Sequence, residues 1–262
     1  FNSGLPLVPN HKVFKIKFGN LCNLRCIMCG PQSSSAWAQH KQKYNEGEWP
    51  IYENAFNNKT YEDLKQIIPN VHRIIISGGE PLMNDRYYDF LEWLIGHKFS
   101  KNLKITTLFQ YKKAFKKLVF NISLDGIEEK DEYIRTGTIW SKKVENISKL
   151  QKNFNIAFEV TVQALNVGYI NQIQNYLDKN FNHKSALTNI LVQPKYFDAN
   201  YLPEDIKRRY LKQKNLPSNI EKILSTPTKS KIFREGVKFL QLCDKRNGTD
   251  FLKLWPEFKN YV

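Results

Sequence analysis

The feature that most constrains this chain is a repeated alternation of strand-like and helix-like segments from Val13 to about residue 194. Val13–Phe18 alternates apolar and basic residues and reads as a first strand. Ser33–Tyr44 opens on three serines, an N-cap cluster, and reads as a helix. Thr60–Ile68 carries a Thr-x-x-Asp start, with Leu64, Ile67 and Ile68 on one face and Pro69 as its stop. Arg73–Ser77 is a continuous apolar run, the pattern of a strand covered on both faces. Asp85–His97 predicts a helix with Tyr88, Leu91, Leu94 and Ile95 inward. Strands are then expected at Leu103–Leu108, Leu118–Leu124, Ile156–Ala164 and Asn189–Val192, with helices at Tyr111–Lys117, Ser141–Lys152 and Tyr169–Asn180 between them. A regular β-then-α order implies parallel strands joined by right-handed crossovers. Six such units are fewer than the eight of a closed barrel, so the expected fold is α/β, an open, partial (β/α)6 TIM-like barrel. It is expected over residues 10–194. Residues 195–262 read as a C-terminal helical extension packing on the barrel, with helices near Pro203–Lys214, Ser218–Leu224 and Lys231–Lys245.

Composition narrows the class. At 262 residues, 41% apolar and 13% aromatic, the chain has enough material for a sizeable core. No apolar run approaches the ~20 residues of a membrane span, and the N-terminus lacks a basic-then-apolar signal pattern, so no membrane partner is expected. The first residue is Phe, which fits a fragment or a processed form. Four cysteines cannot staple a chain of this length, which points to a reducing, cytoplasmic setting.

Three of those cysteines fall within eight residues, in Cys22-Asn-Leu-Arg-Cys26-Ile-Met-Cys29 directly after the first strand. In parallel α/β barrels the loops that follow strands form the catalytic face. Three thiols at C-x3-C-x2-C spacing suit three corners of a cubane iron–sulfur cluster, leaving one iron open to an outside ligand. Other readings stay open on spacing alone: a Cys3His zinc site, for which His11 and His40 lie outside the usual short spacing; a disulfide plus a spare thiol; or buried structural cysteines. A second motif follows strand two. In Gly78-Gly79-Glu80-Pro81 the glycines let backbone approach a ligand, Glu80 offers an acceptor to an ammonium, and Pro81 stiffens the exit. By itself it is a turn with an exposed acid.

The cysteine loop, the Gly-Gly-Glu-Pro turn and Ser123-Leu-Asp125-Gly126 at the end of strand four, followed by Glu132-Tyr-Ile-Arg135 and the Trp140–Leu150 helix, together resemble the radical S-adenosylmethionine (SAM) superfamily over roughly residues 13–194. The resemblance implies a [4Fe-4S] cluster on Cys22, Cys26 and Cys29, whose open iron is chelated by the methionine part of SAM. Reductive cleavage then yields a 5′-deoxyadenosyl radical that abstracts hydrogen from a substrate. It also implies roles for other residues. Met28 would lie against the adenine; Gly78, Gly79 and Glu80 would hold the SAM amino group; Ser123 and Asp125 would meet the ribose; Arg135 would pair with the SAM carboxylate; and Gln193 would approach the adenine. No residue is assigned a catalytic role beyond these. A flavodoxin or ferredoxin would supply the electron.

A narrower resemblance, to radical SAM proteins with a "twitch" domain, rests on Phe18-Gly-Asn-Leu-Cys22, Met28-Cys29-Gly30-Pro31, Ser33-Ser34-Ser35-x-Trp37, Leu242–Arg246 and Trp255-Pro256-Glu257. Such relatives often modify peptides or proteins, which makes a peptide or protein the first expected substrate. A cysteine-bearing auxiliary region is not found here. Cys243, on an amphipathic segment with Val237 and Leu240, reads as core packing. The alternatives are a nucleotide or nucleic-acid substrate and a non-catalytic metal-binding protein. The net charge of +15 motivates the nucleic-acid alternative, because residues 195–262 carry 15 basic against 8 acidic side chains. The blander account is a Lys-rich composition that solvates helix faces.

Overall fold

The structure, a computed structural model, describes residues 13–52, 57–102, 104–105, 117–183, 186–228 and 232–262. Two compact units emerge. The first comprises residues 1–25 and 29–120, and the second residues 26–28 and 121–262.

The first unit is built on parallel strands β1 (Val13–Lys17), β2 (Arg73–Ser77), β3 (Lys104–Ile105) and the start of β4 (Lys117–Ser123), adjacent in that order. Val13 pairs with Arg73, Lys17 with Ser77, and Lys104 with Lys117. Helices α1 (Ser35–Lys43), α2 (Asn58–Ile67) and α3 (Asp85–Gly96) lie between the strands in sequence. The cap of α2 is Asn57, whose Oδ1 accepts from Thr60 N–H, so the helix starts before the Thr60 expected to open it. Helix α3 buries Tyr87, Phe90, Leu91 and Leu94. The inward stripe is thus rotated from the expected one, leaving Tyr88 and Ile95 half-buried. The cause is Phe18, whose ring stands 5.8 Å from that of Phe90 and 6.2 Å from that of Tyr87 and selects the aromatic face. Most of the expected strand Leu103–Leu108 and helix Tyr111–Lys117 lies outside the described residues; Lys117 itself opens β4.

The second unit holds the end of β4, then β5 (Asn155–Val162) and β6 (Ala186–Ile190). Leu124 N–H donates to Glu159 C=O, and Phe158–Val162 pairs in parallel with Ala186–Ile190. Strand β6 therefore lies three residues earlier than the Asn189 start expected for it. Helices α4 (Glu129–Ile134), α5 (Trp140–Gln151), α6 (Ile170–Asn180), α7 (Glu204–Leu211), α8 (Ser218–Ser225), α9 (Phe233–Asn247) and the short α10 (Phe251–Leu254) belong to this unit. Phe158, Val160 and Val162 are buried on one face of β5, and Phe158 meets Phe181 at the end of α6. The segment after residue 195 is anchored by its own motif. Trp255 is fully buried and its Nε1–H donates to Leu165 C=O at 2.6 Å, while Glu257 accepts from both Tyr169 and Tyr210 hydroxyls at 2.6 Å. No helix among the described residues is long and apolar enough to cross a membrane.

Candidate functional site

The first unit joins two of the expected motifs through their backbones. Strand β1 ends in Phe18-Gly19-Asn20, and Asn20 is fully buried with its side chain spent on the loop that follows. Its Nδ2 donates to Pro31 and Pro50 carbonyls and its Oδ1 accepts from Tyr52 N–H, each at 2.9 Å. Ser34, which caps α1, and Ser35, its first residue, also clamp the cysteine loop. Ser35 Oγ lies 3.0 Å from both Cys22 N–H and Cys22 C=O, and Ser34 Oγ donates to Leu24 C=O at 2.6 Å while accepting from Trp37 N–H. From strand β2 the Gly78-Gly79-Glu80 turn packs directly on this loop, with Glu80 N–H donating to Leu21 C=O at 2.6 Å. Gly79 has φ +58°, and a Cβ there would stand 2.0 Å from the Leu21 carbonyl oxygen. Gly78, at φ +91°, would place a Cβ 2.7 Å from Gly19 C=O. Both glycines are thus required by backbone packed on backbone. Asn84 caps α3 and donates to Phe18 C=O, fixing the far side of the turn. The half-buried Glu80 accepts from Leu82 N–H.

The second unit holds the remaining candidates. Cys26 is buried and Met28 half-buried, and Ile27 N–H donates to Ile134 C=O. One residue past Ile134, Arg135 forms a 2.6 Å ion pair with Asp125, which is fully buried. Asp125 also accepts from Thr161 N–H at 2.6 Å, and its own N–H donates to Asp131, itself paired with Lys143. Burial pushes the Asp125 carboxyl up, against the opposing pull of Arg135 and the Thr161 N–H. Burial alone would lower Arg135, but the Asp125 carboxylate, with Cys26 and Asp131 adding to it, holds the guanidinium above its ordinary value. Arg135, expected to face a ligand carboxylate, therefore already has a carboxylate partner in the chain. Ser123 and Gln193 are exposed, and a cis peptide joins Gln193 to Pro194.

Beside Asp125 a cavity of about 690 Å³ is lined by Glu128, Glu129, Glu132, Lys130, Trp140 and Tyr169, among others. The Lys130 ammonium lies 3.1 Å from the Tyr169 ring centroid. Burial lowers its pKa to about 8, with Glu257 opposing. Sequence reasoning missed the supporting residues Asn20, Ser34, Ser35, Thr161 and Asn166. Ser34 and Ser35 carry a signal, since they follow the last cysteine by only a few positions and belong to the Ser33-Ser34-Ser35-x-Trp37 motif, but neither a helix cap nor a motif match shows that they hold the loop.

Whether these residues suit a cluster rests on donor chemistry. All four cysteines are thiols, and Leu24 N–H donates to Cys22 Sγ at 3.5 Å, the kind of bond that stabilises a thiolate ligand. Cys22 and Cys29 belong to the first unit and Cys26 to the second, and among the described residues no three His, Cys, Asp or Glu side chains gather as a ready metal site. The donor set fits by its chemistry, and the glycine turn packs backbone on backbone against the same loop.

No protein-family model matches the chain. GTP 3′,8-cyclase of Alkaliphilus oremlandii is 27% identical over 148 residues, 52% of this chain and 42% of that protein. GTP 3′,8-cyclase of Aliarcobacter butzleri is 27% identical over 144 residues, 50% and 40%. The match thus spans about two-fifths of the length of these curated relatives. Among solved structures, native anSMEcpe with bound AdoMet is 19% identical, with 90% of this chain and 62% of that one covered and a TM-score of 0.47. Streptococcus suis SuiB bound to precursor peptide SuiA is 14% identical, at 69% and 49% coverage and a TM-score of 0.45. The curated matches, together with the motifs, support a likeness to the radical SAM superfamily.

Proposed function

We propose that the chain is the SAM-cleaving part of a radical SAM enzyme that abstracts hydrogen from a peptide or protein, with residues 10–194 as the barrel and 195–262 as its helical cover. One observation carries this reading: the Gly78-Gly79-Glu80 turn is bonded through Glu80 N–H to the residue preceding Cys22. In this reading Cys22, Cys26 and Cys29 hold a [4Fe-4S] cluster, which with SAM supplies reductive S–C bond cleavage and a hydrogen-abstracting radical. The chain's own contribution is placement. Gly78 and Gly79 admit the SAM amino group close to backbone, and Glu80 accepts its hydrogens. Met28 covers the adenine, Ser123 and Asp125 border the ribose, and Gln193 stands at the adenine edge. Arg135, held cationic by Asp125, offers its remaining N–H groups to the SAM carboxylate. An electron enters from a flavodoxin or ferredoxin.

The cavity beside Asp125 supports a peptide-like substrate over a phosphorylated one. Glu128, Glu129 and Glu132 line it with Lys130 the one basic lining residue, and a triphosphate would meet more repulsion than attraction there. A nucleotide substrate is the second reading, favoured by the two curated relatives named for GTP. The test is anaerobic reconstitution with iron and sulfide, then dithionite and SAM. Wild type should bind about four irons and release 5′-deoxyadenosine, and Cys26→Ala should do neither. Zinc without iron in the wild type, or product from Cys26→Ala, refutes the proposal. GTP-dependent product without any peptide would select the second reading.

A further inference from the structure

The Trp255-Pro256-Glu257 motif has no part in the function above, yet it grips α4, the short helix that ends beside the cysteine loop. Trp255 is fully buried, and the Tyr133 ring meets it edge-on at 5.4 Å. Two residues on, Glu257 Oε1 accepts from the Tyr169 and Tyr210 hydroxyls, both at 2.6 Å. The Tyr169 ring fixed in this way carries the Lys130 ammonium 3.1 Å from its centroid, and the same nitrogen lies 5.6 Å from the Trp255 ring centroid. Lys130 and Tyr133 stand three residues apart and so share one face of α4. That face rests on the C-terminal motif. On another face Asp131 accepts from Asp125 N–H and pairs with Lys143.

The helix holds itself in place only weakly. It has six residues, too few to be stable without packing partners. Its N-cap, Glu128, makes no side-chain capping bond among the described residues and sits at φ +53°. Cavities of about 690 and 340 Å³ flank it, and Glu129, Glu132 and Leu254 line both. Its last residue carries the consequence. Ile134 is fully buried and its C=O accepts from Ile27 N–H at 2.9 Å, which ties the residue between Cys26 and Met28 to the end of α4. A shift of α4 is therefore a shift of the backbone that carries Cys26. Groups that orient metal ligands without touching the metal govern how well it is retained. We infer that Glu257 is a positioning residue: by fixing Tyr169 under Lys130 it fixes α4, and through Ile134 it fixes the segment that presents Cys26 to a cluster. This rests on the cluster-binding reading above.

The test is the rate of iron loss to a ferrous-iron chelator from anaerobically reconstituted protein, read beside the urea midpoint of the same samples. Glu257→Ala should lose iron roughly tenfold faster than wild type. Glu257→Gln keeps an oxygen for both tyrosine hydroxyls and should restore most of the wild-type rate. Lys130→Met leaves the bonds of Glu257 intact and should also speed the loss, and it serves if Glu257→Ala fails to fold. Phe258→Leu is the control for destabilisation alone. Phe258 is fully buried with its ring 5.0 Å from that of Phe233, so its loss should lower the urea midpoint and leave the rate unchanged. A wild-type rate in either Glu257→Ala or Lys130→Met, or an equal acceleration in Phe258→Leu, overturns the inference while leaving the cluster reading intact. Wild type that takes up no iron overturns the cluster reading and this inference together.

Discussion

Replacing Gly79 with Ala should damage the first unit far more than one methyl group suggests. At φ +58° a non-glycine residue costs about 1–2 kcal/mol. The new Cβ would stand 2.0 Å from the Leu21 oxygen, 2.8 Å from its carbonyl carbon and 2.9 Å from the Asn20 carbonyl carbon. All three are backbone atoms, so no side chain can swing away, and displacing them costs about 1–3 kcal/mol. The turn must retreat, which stretches the 2.6 Å Glu80–Leu21 hydrogen bond, worth about 1 kcal/mol. The total is about 3–6 kcal/mol. Gly96 is the internal control. It closes α3 with nothing within 4 Å of an added Cβ, so Gly96→Ala should stabilise by up to about 1 kcal/mol. Urea unfolding followed by circular dichroism measures both. If Gly79→Ala loses less than about 1 kcal/mol, or moves in the same direction as Gly96→Ala, the claim that the turn is packed backbone on backbone is wrong.

Other consequences concern the second unit. Arg135→Met strands the buried Asp125 carboxylate and should cost about 3–5 kcal/mol in denaturant unfolding, most of it recovered in Asp125→Leu/Arg135→Met. Lys130 has a folded pKa near 8, below its ordinary 10.5, so between those pH values the unfolded chain binds more protons and stability rises with pH. The wild-type minus Lys130→Met difference in urea midpoint should show that slope, and a flat difference from pH 7.5 to 10.5 would contradict the half-buried ammonium. Trp255→Phe leaves Leu165 C=O unpaired and should cost about 1–3 kcal/mol by the same unfolding assay. Cys243, buried on α9, should behave as packing: Cys243→Ala should lose about 1 kcal/mol and keep the wild-type iron content after reconstitution.

The strand–helix order was legible because its signal is local. Arg73–Ser77 has the bounds expected of it, since five residues between Val71-His72 and a double glycine leave little choice. The rotated face of α3 was not legible. Tyr87 and Phe90 are as apolar as the expected Tyr88 and Ile95, and the decision belongs to Phe18, some seventy residues away in sequence. The cap of α2 was missed because Asn57 and Thr60 both suit an N-cap, and the backbone geometry chose the earlier one.

At the candidate site, legibility followed how much of the chemistry a residue type carries by itself. Two glycines before an acid announce backbone at close approach, and a Cβ at Gly79 would indeed meet the Leu21 carbonyl. Asp125 and Arg135 announce only a charge each. Their resemblance-based roles faced a ligand, whereas in the fold they face each other at 2.6 Å, because a fully buried carboxylate needs a cation whether or not a ligand is present. The two demands are compatible. One guanidinium nitrogen on Asp125 leaves other N–H groups of Arg135 for a second carboxylate, and the ion pair fixes the fork that would present them. Gln163 is the opposite case. Nothing in Val-Thr-Val-Gln-Ala-Leu-Asn distinguishes a buried glutamine from an exposed one, and only the fold buries this amide with no hydrogen-bond partner among the described residues.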